Sequence, residues 1–113
     1  MNTLNVWMDG AFLAQDKTQA SLLAHGLHYG TGVFEGIRCY PTEKGPAIFR
    51  LDAHMARFDA GADALSMAVD TKAMGLAALE LLRLNDQQSA YIRPLSYYES
   101  GGLSLDVHNL KPR

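Results

Sequence analysis

The sequence predicts an α+β fold, an antiparallel-rich sheet with two helices packed on one side. Strand-like segments cluster before residue 50, two segments of helical period follow, and one more strand-like segment comes after them. That order, β-β-β-β-α-α-β, segregates strands from helices and so points away from alternating βαβ units. With 113 residues, 48% of them hydrophobic and 19% charged, the chain suits one domain with a core of its own.

Each element has a local reason. Val6-Trp7-Met8 and Ala11-Phe12-Leu13 flank Asp9-Gly10, a dipeptide that accepts the positive φ angles of a tight hairpin turn. Ser21 to Leu27 has no decisive period. Gly32 to Tyr40 is rich in strand formers, Pro41 to Pro46 reads as a turn, and Ala47 to Arg50 returns as a second strand. The period then changes. Leu51, Met55, Phe58, Ala62 and Leu65 fall on one face of a helix, with Asp52 as its expected N-cap. A second helix starts at Asp70 or Thr71 and runs to Leu84, with Met74, Ala78, Leu81 and Leu82 as its apolar stripe and Asn85 as its stop. Ser89 to Tyr98 is again strand-like. Ser100 to Arg113, with Gly101-Gly102 and Pro112, reads as a loop. That tail carries no stop signal, and the chain reads as a domain cut from something larger.

Charge and composition exclude several classes. A formal charge of −2, with ten Lys+Arg against twelve Asp+Glu and no block of like charge, argues against nucleic acid and against an electrostatic membrane anchor. No apolar run approaches the ~20 residues that span a bilayer, and the first residues lack the basic and apolar regions of a signal peptide. One cysteine, Cys39, makes no disulfide framework. A cytoplasmic setting is expected, with Cys39 as a small core residue.

The densest stretch for chemistry is His25 to Arg38. Gly26, Gly30, Gly32 and Gly36 are too many for plain packing, and glycine persists where a backbone turns or a ligand comes close. The spacing G-x-G-x-x-x-G is not that of a dinucleotide loop, and no phosphate-binding P-loop or nucleophile elbow occurs. His25, His28 and His54 could suggest a metal, but no carboxylate or cysteine cluster accompanies them to complete a site.

Strand alternation puts Phe34, Gly36, Arg38 and Tyr40 on one face and Val33, Glu35, Ile37 and Cys39 on the other. It likewise puts Tyr91, Arg93 and Leu95 opposite Ala90, Ile92 and Pro94. Each strand thus carries an aromatic and an arginine on one side. Two readings are open: a pocket for an anionic substrate with an apolar part, or a solvent-facing Tyr and Arg pair. Arg57, one position off the helix stripe, is either a phosphate clamp or a surface arginine.

Taken together, these residues resemble the branched-chain amino acid aminotransferases, pyridoxal-phosphate enzymes of fold type IV. The resemblance is carried by His28-Tyr29-Gly30-Thr31-Gly32-Val33-Phe34-Glu35-Gly36-Ile37-Arg38-Cys39-Tyr40. Phe49-Arg50 leading into His54-Met55-x-Arg57-Phe58, Tyr91-Ile92-Arg93-Pro94, and the opening Asp9-Gly10 extend it to about Leu95.

That resemblance implies pyridoxal 5′-phosphate as cofactor, with Arg57 on its phosphate. It implies Tyr29, Phe34 and Gly36 lining the pocket for an aliphatic side chain, with Arg38 in support. Tyr91 would fix the α-carboxylate and Arg93 the second carboxylate of glutamate. Tyr29 and the loop near Leu103 to Leu105 would be lent across a homodimer or higher homo-oligomer, and the substrates would be amino acids and 2-oxo acids. The loop Ser100 to Leu105 follows the family's Gly-Met-Gly-Val pattern only loosely.

Residues 1–98 would form the small N-terminal domain and 99–113 an interdomain loop. Lys17, Lys44, Lys72 and Lys111 do not match the position of the Schiff-base lysine. That lysine would lie in a C-terminal domain this chain lacks, so the chain alone is expected to be inactive. A D-amino-acid transaminase and an aminodeoxychorismate lyase of the same fold type are the alternative enzymes. A non-catalytic oligomerisation or binding domain is the alternative of another class.

Overall fold

The computed structural model describes residues 3–100 and 111–113. The strands β1 (Asn5–Met8) and β2 (Ala11–Ala14) form the expected hairpin, Val6 facing Leu13 and Trp7 facing Phe12. Both turn residues, Asp9 (φ 52°) and Gly10 (φ 86°), are left-handed, as this turn requires. A single 3₁₀ turn follows at Gln15–Lys17. The undecided segment resolves into a short helix α1 (His25–Tyr29), stopped by Gly30 in the left-handed conformation at φ 71°.

The two long predicted strands are each broken in two. Gly32 to Tyr40 becomes β3 (Gly32–Phe34) and β4 (Ile37–Thr42), and Ser89 to Tyr98 becomes β6 (Ala90–Ile92) and β7 (Leu95–Ser100). The breaks face each other and have one cause. The Glu35 amide donates to the Pro94 carbonyl at 3.1 Å, but Pro94 has no N–H to return the bond. The ladder therefore splits. β3 pairs with β7 through Phe34 and Leu95, and β4 pairs with β6 through Ile37 and Ile92, and Arg38 and Tyr91.

The turn after β4 is tighter than expected. β5 (Gly45–Ile48) pairs Thr42 with Gly45 and Pro41 with Pro46, leaving Glu43-Lys44 as the turn. The tail also differs from a loop where it is described: β8 (Lys111–Pro112) pairs antiparallel with β7. Leu105 lies outside the described residues. The strands are therefore shared among three antiparallel sheets, β1-β2, β3-β7-β8 and β5-β4-β6.

Helix α2 (Leu51–Ala64) buries Met55, Phe58 and Ala62, the centre of the predicted stripe. Its N-cap is Arg50, left-handed at φ 54°, and Asp52 lies inside the first turn instead of capping it. Helix α3 (Thr71–Leu84) is capped by Asp70, whose Oδ1 accepts from the Ala73 amide at 3.0 Å, and it stops at Asn85 as expected. It buries Gly75, Ala77, Ala78 and Leu82, with Ala77 and Gly75 added to the predicted face because α3 packs closely on α2. A β-carbon at Gly75 would meet Leu51 and Met55 at 3.9 and 4.0 Å.

The core closes where α2 ends. Ala62, Met67 and Tyr98 are buried together with Val33, Leu65 and Val69 against them, and the Tyr98 hydroxyl donates to the Leu65 carbonyl at 2.6 Å. Two polar ties hold the N-terminal hairpin. The Asn85 side chain accepts from the Asn5 amide at 2.7 Å and donates to its carbonyl at 2.9 Å. Arg113 reaches Asp9 at 2.7 Å, the Gln19 carbonyl at 3.0 Å and Glu99 at 2.5 Å. Between β1, α3 and the β6–β7 corner lies an apolar groove of about 460 Å³, lined by Trp7, Met74, Ala78, Leu81 and Ile92 among others. Among the described residues, no helix is long and apolar enough to cross a membrane.

Candidate functional site

Alternation survives the break in the strands. Ile37 and Cys39 are fully buried, while Phe34, Arg38, Tyr91, Arg93 and Leu95 are exposed on the opposite side. Burial pushes the Cys39 thiol up from its ordinary pKa, which suits the core role expected for it.

The exposed face is a built cluster. Register puts Arg38 across from Tyr91. The Arg93 guanidinium lies 4.4 Å from the centre of the Phe34 ring and 5.4 Å from that of Tyr91, and the Arg38 guanidinium stands 5.8 Å from the centre of Tyr91. Arg93 Nη2 donates to the Tyr91 hydroxyl at 2.8 Å. Gly36 is the floor, because a β-carbon there would fall 2.9 Å from Tyr91 Cζ and closer still to the hydroxyl. Five of the sequence-predicted positions, Phe34, Gly36, Arg38, Tyr91 and Arg93, thus meet on one surface. Aromatic walls and two guanidinium groups can take a carboxylate beside an apolar chain.

Arg57 faces a different carboxylate. On the buried side of the same chain segment sits Glu35, only 6% exposed. Its Oε1 accepts from Arg57 Nε at 2.5 Å, and its Oε2 accepts from Arg57 Nη2 at 2.6 Å and from His54 Nδ1 at 3.1 Å. The Arg57 hydrogen bonds hold the Glu35 carboxyl at about 2, against the usual 4.5, and the His54 contact helps while burial opposes. An ionised carboxylate only accepts, so His54 carries its proton on Nδ1. The same pairing raises the already high pKa of Arg57.

Arg57 itself is 73% exposed and borders a cleft of about 250 Å³ with Arg50, Ala53 and His54. Among the described residues, Nη1 and the second hydrogen of Nη2 have no partner. Donors of that kind suit a phosphate monoester. No lysine lines the cleft.

Tyr29 is carried by α1, which packs on β7, and its ring lies 4.5 Å from that of His25. The three histidines weighed as metal ligands are engaged separately. His25 Nδ1 meets Thr31 Oγ1 at 2.8 Å, His28 Nε2 meets the Leu22 carbonyl at 2.8 Å, and His54 meets Glu35. Glu35 has no place in the site read from sequence, and His54 and Arg50 enter that reading only as a metal candidate and as part of the motif around Arg57. The available signal was Glu35 itself, a carboxylate alternating with Val33, Ile37 and Cys39 on the apolar face, where a charge must find a cation.

Known proteins resemble this chain over most of its length. The family model for class IV amino-transferases matches residues 32–113. A branched-chain-amino-acid aminotransferase from Pseudomonas aeruginosa is 40% identical over 108 residues, covering 94% of this chain and 35% of the relative. One from Escherichia coli K12 is 37% identical over 103 residues, covering 89% of this chain and 33% of the relative. Among solved structures, a branched-chain amino acid aminotransferase from T.th. complexed with N-(5′-phosphopyridoxyl)-L-glutamate superposes with a TM-score of 0.87 at 44% identity, covering 92% of this chain and 36% of that one. The chain therefore spans about a third of the length of the relatives it matches. The family match runs from β3 through β8, across the elements that carry Phe34, Arg57, Tyr91 and Arg93, and the chain belongs to the class IV amino-transferases.

Proposed function

We propose that this chain is the small, substrate-facing domain of a pyridoxal 5′-phosphate-dependent aminotransferase that exchanges the amino group between branched-chain L-amino acids and 2-oxoglutarate. One observation carries the reading. Arg93 lies over Phe34 and is hydrogen-bonded to Tyr91, so a single surface offers both an apolar wall and a carboxylate receptor. A pocket for leucine and for glutamate needs both.

Two solved complexes support it. The T.th. enzyme has been solved with N-(5′-phosphopyridoxyl)-L-glutamate and with 4-methylvaleric acid, an acidic amino acid adduct and a branched aliphatic acid.

The residues divide the work. Arg57 holds the cofactor phosphate with the N–H groups that Glu35 leaves uncommitted. When bound, pyridoxal phosphate supplies the electron sink for amino-group exchange. Tyr91 orients the substrate α-carboxylate, Arg93 receives the second carboxylate of glutamate, and Phe34 with Gly36 shapes the aliphatic pocket. Arg38 supports Tyr91 from β4. Tyr29 and Leu105 are contributed across a homodimer or higher homo-oligomer, and the protein works in the cytoplasm.

The test is turnover by the full-length protein with leucine, D-alanine and aminodeoxychorismate as competing substrates. Preference for leucine with 2-oxoglutarate supports the reading. Preference for D-alanine or for aminodeoxychorismate overturns it in favour of another class IV activity.

A further inference from the structure

We propose that Glu35 is a positioning residue, whose buried carboxylate locks the Arg57 guanidinium so that its free edge presents one fixed geometry to a phosphate ester in the cleft beside Arg50 and Ala53. This rests on the reading of Arg57 as the phosphate holder.

Arg57 and Glu35 differ sharply in exposure. Arg57 is 73% exposed, and an arginine that open to water ordinarily samples many rotamers. Glu35 is 6% exposed and cannot move freely, since its amide is fastened to the Pro94 carbonyl at the seam between the two ladders. The exposed cation is therefore held by the immobile anion.

The edge used matters. Glu35 takes Nε and Nη2, the side edge of the guanidinium, at 2.5 and 2.6 Å. A guanidinium is planar and rigid, so fixing one edge fixes the other. The end edge, Nη1 and Nη2, then points away from Glu35 with its hydrogens uncommitted among the described residues. That edge matches two phosphate oxygens.

His54 braces the carboxylate from the other side at 3.1 Å and keeps Oε2 from rotating away. The carboxylate also offsets the charge of Arg57. What the cleft gains from Glu35 is direction and lowered ordering cost, not added positive charge.

The test measures affinity of the full-length apoprotein for pyridoxal 5′-phosphate and for pyridoxal, which lacks the phosphate, by absorbance titration. The ratio of the two isolates the phosphate contact. Glu35→Gln keeps the shape and removes one acceptor. It should weaken pyridoxal 5′-phosphate by about tenfold and leave pyridoxal unchanged, the order expected when a rotamer-rich side chain must be ordered on binding.

Arg57→Lys separates the two ideas. If Arg57→Lys lowers the ratio and Glu35→Gln does not, Glu35 does not position Arg57 and the proposal is overturned while the phosphate reading stands. If neither variant changes the ratio, the phosphate reading fails and the proposal falls with it. Loss of thermal stability in Glu35→Gln with an unchanged ratio marks a purely structural role and also overturns it.

Nitrogen-15 spectra of the unmodified protein keep the question open to refutation should Glu35→Gln not fold. A locked Arg57 shows separate Nη resonances that persist when inorganic phosphate is added. Averaged resonances overturn the proposal.

Discussion

The hydroxyl of Tyr91 occupies the space that any side chain at position 36 would need. A β-carbon on Gly36 would come within 2.9 Å of Tyr91 Cζ. Glycine at this position has no turn to make, and its φ is not among the positive ones. Its role is to let a tyrosine from β6 lie across the chain just before β4.

Gly36→Ala should therefore push Tyr91 off its seat and loosen Arg93, which is bonded to the Tyr91 hydroxyl. The expected loss in kcat/KM is about a hundredfold, the scale of a roughly 1 Å misplacement in a binding site. Steady-state kinetics on the full-length protein checks this. Unchanged kcat/KM would mean that Tyr91 does not orient substrate.

Arg93→Met should discriminate between substrates. Removing the guanidinium leaves the Phe34 wall intact but takes away the carboxylate receptor. A hydrogen bond to a charged group contributes about 1.5–3 kcal/mol, so kcat/KM for glutamate should fall roughly 10- to 100-fold. Leucine should lose much less. Equal losses for both substrates would refute the assignment of Arg93 to the second carboxylate.

Acid stability should depend on Glu35. Its carboxyl titrates at about 2 in the folded chain against an ordinary 4.5, so folding favours the charged form. The stabilisation is present above about pH 4.5 and is lost as pH falls towards 2. The drop in Tm between about pH 5 and about pH 2.5 should be smaller in Glu35→Gln than in the unmodified protein. An equal drop in both would show that other carboxylates account for it.

Gly75→Ala should stabilise the protein. The added methyl group meets Leu51 and Met55 at ordinary contact distance, and Gly75 sits inside α3 with a helical backbone. Alanine in a helix interior is favoured over glycine by about 0.5–1 kcal/mol. A Tm raised by a few degrees in thermal unfolding is the expected outcome, and a lowered Tm would show that α2 and α3 cannot accept the methyl group.

The parts of this fold that could be read from sequence are those governed by local periodicity. Met55, Phe58 and Ala62 recur at helical spacing because one face of α2 meets the core. Asp9-Gly10 and Asp70 each act within three residues of themselves. The same alternation that puts Phe34 beside Arg38 and Tyr91 beside Arg93 foretold the composition of the exposed cluster.

What escaped the sequence depends on partners far along the chain. The break at Pro94 needs Glu35, 59 residues earlier, as the donor whose bond goes unreturned. A proline inside the strand-like run Ser89 to Tyr98 is nonetheless a usable warning. Arg50 displaced Asp52 as the cap because the chain must reverse from β5 into α2, and the left-handed conformation at Arg50 makes that corner. The Glu35–Arg57–His54 constellation joins a strand break to a helix, which no local pattern reports.

The apolar groove between β1, α3 and the β6–β7 corner has an optical consequence. Trp7, the single tryptophan of the chain, is one of its walls. Indole emission shifts with the polarity around the ring, so the tryptophan fluorescence contributed by these 113 residues is a one-residue spectrum of the groove. Whatever apolar group enters that space, or whatever water fills it, is written in the colour of Trp7.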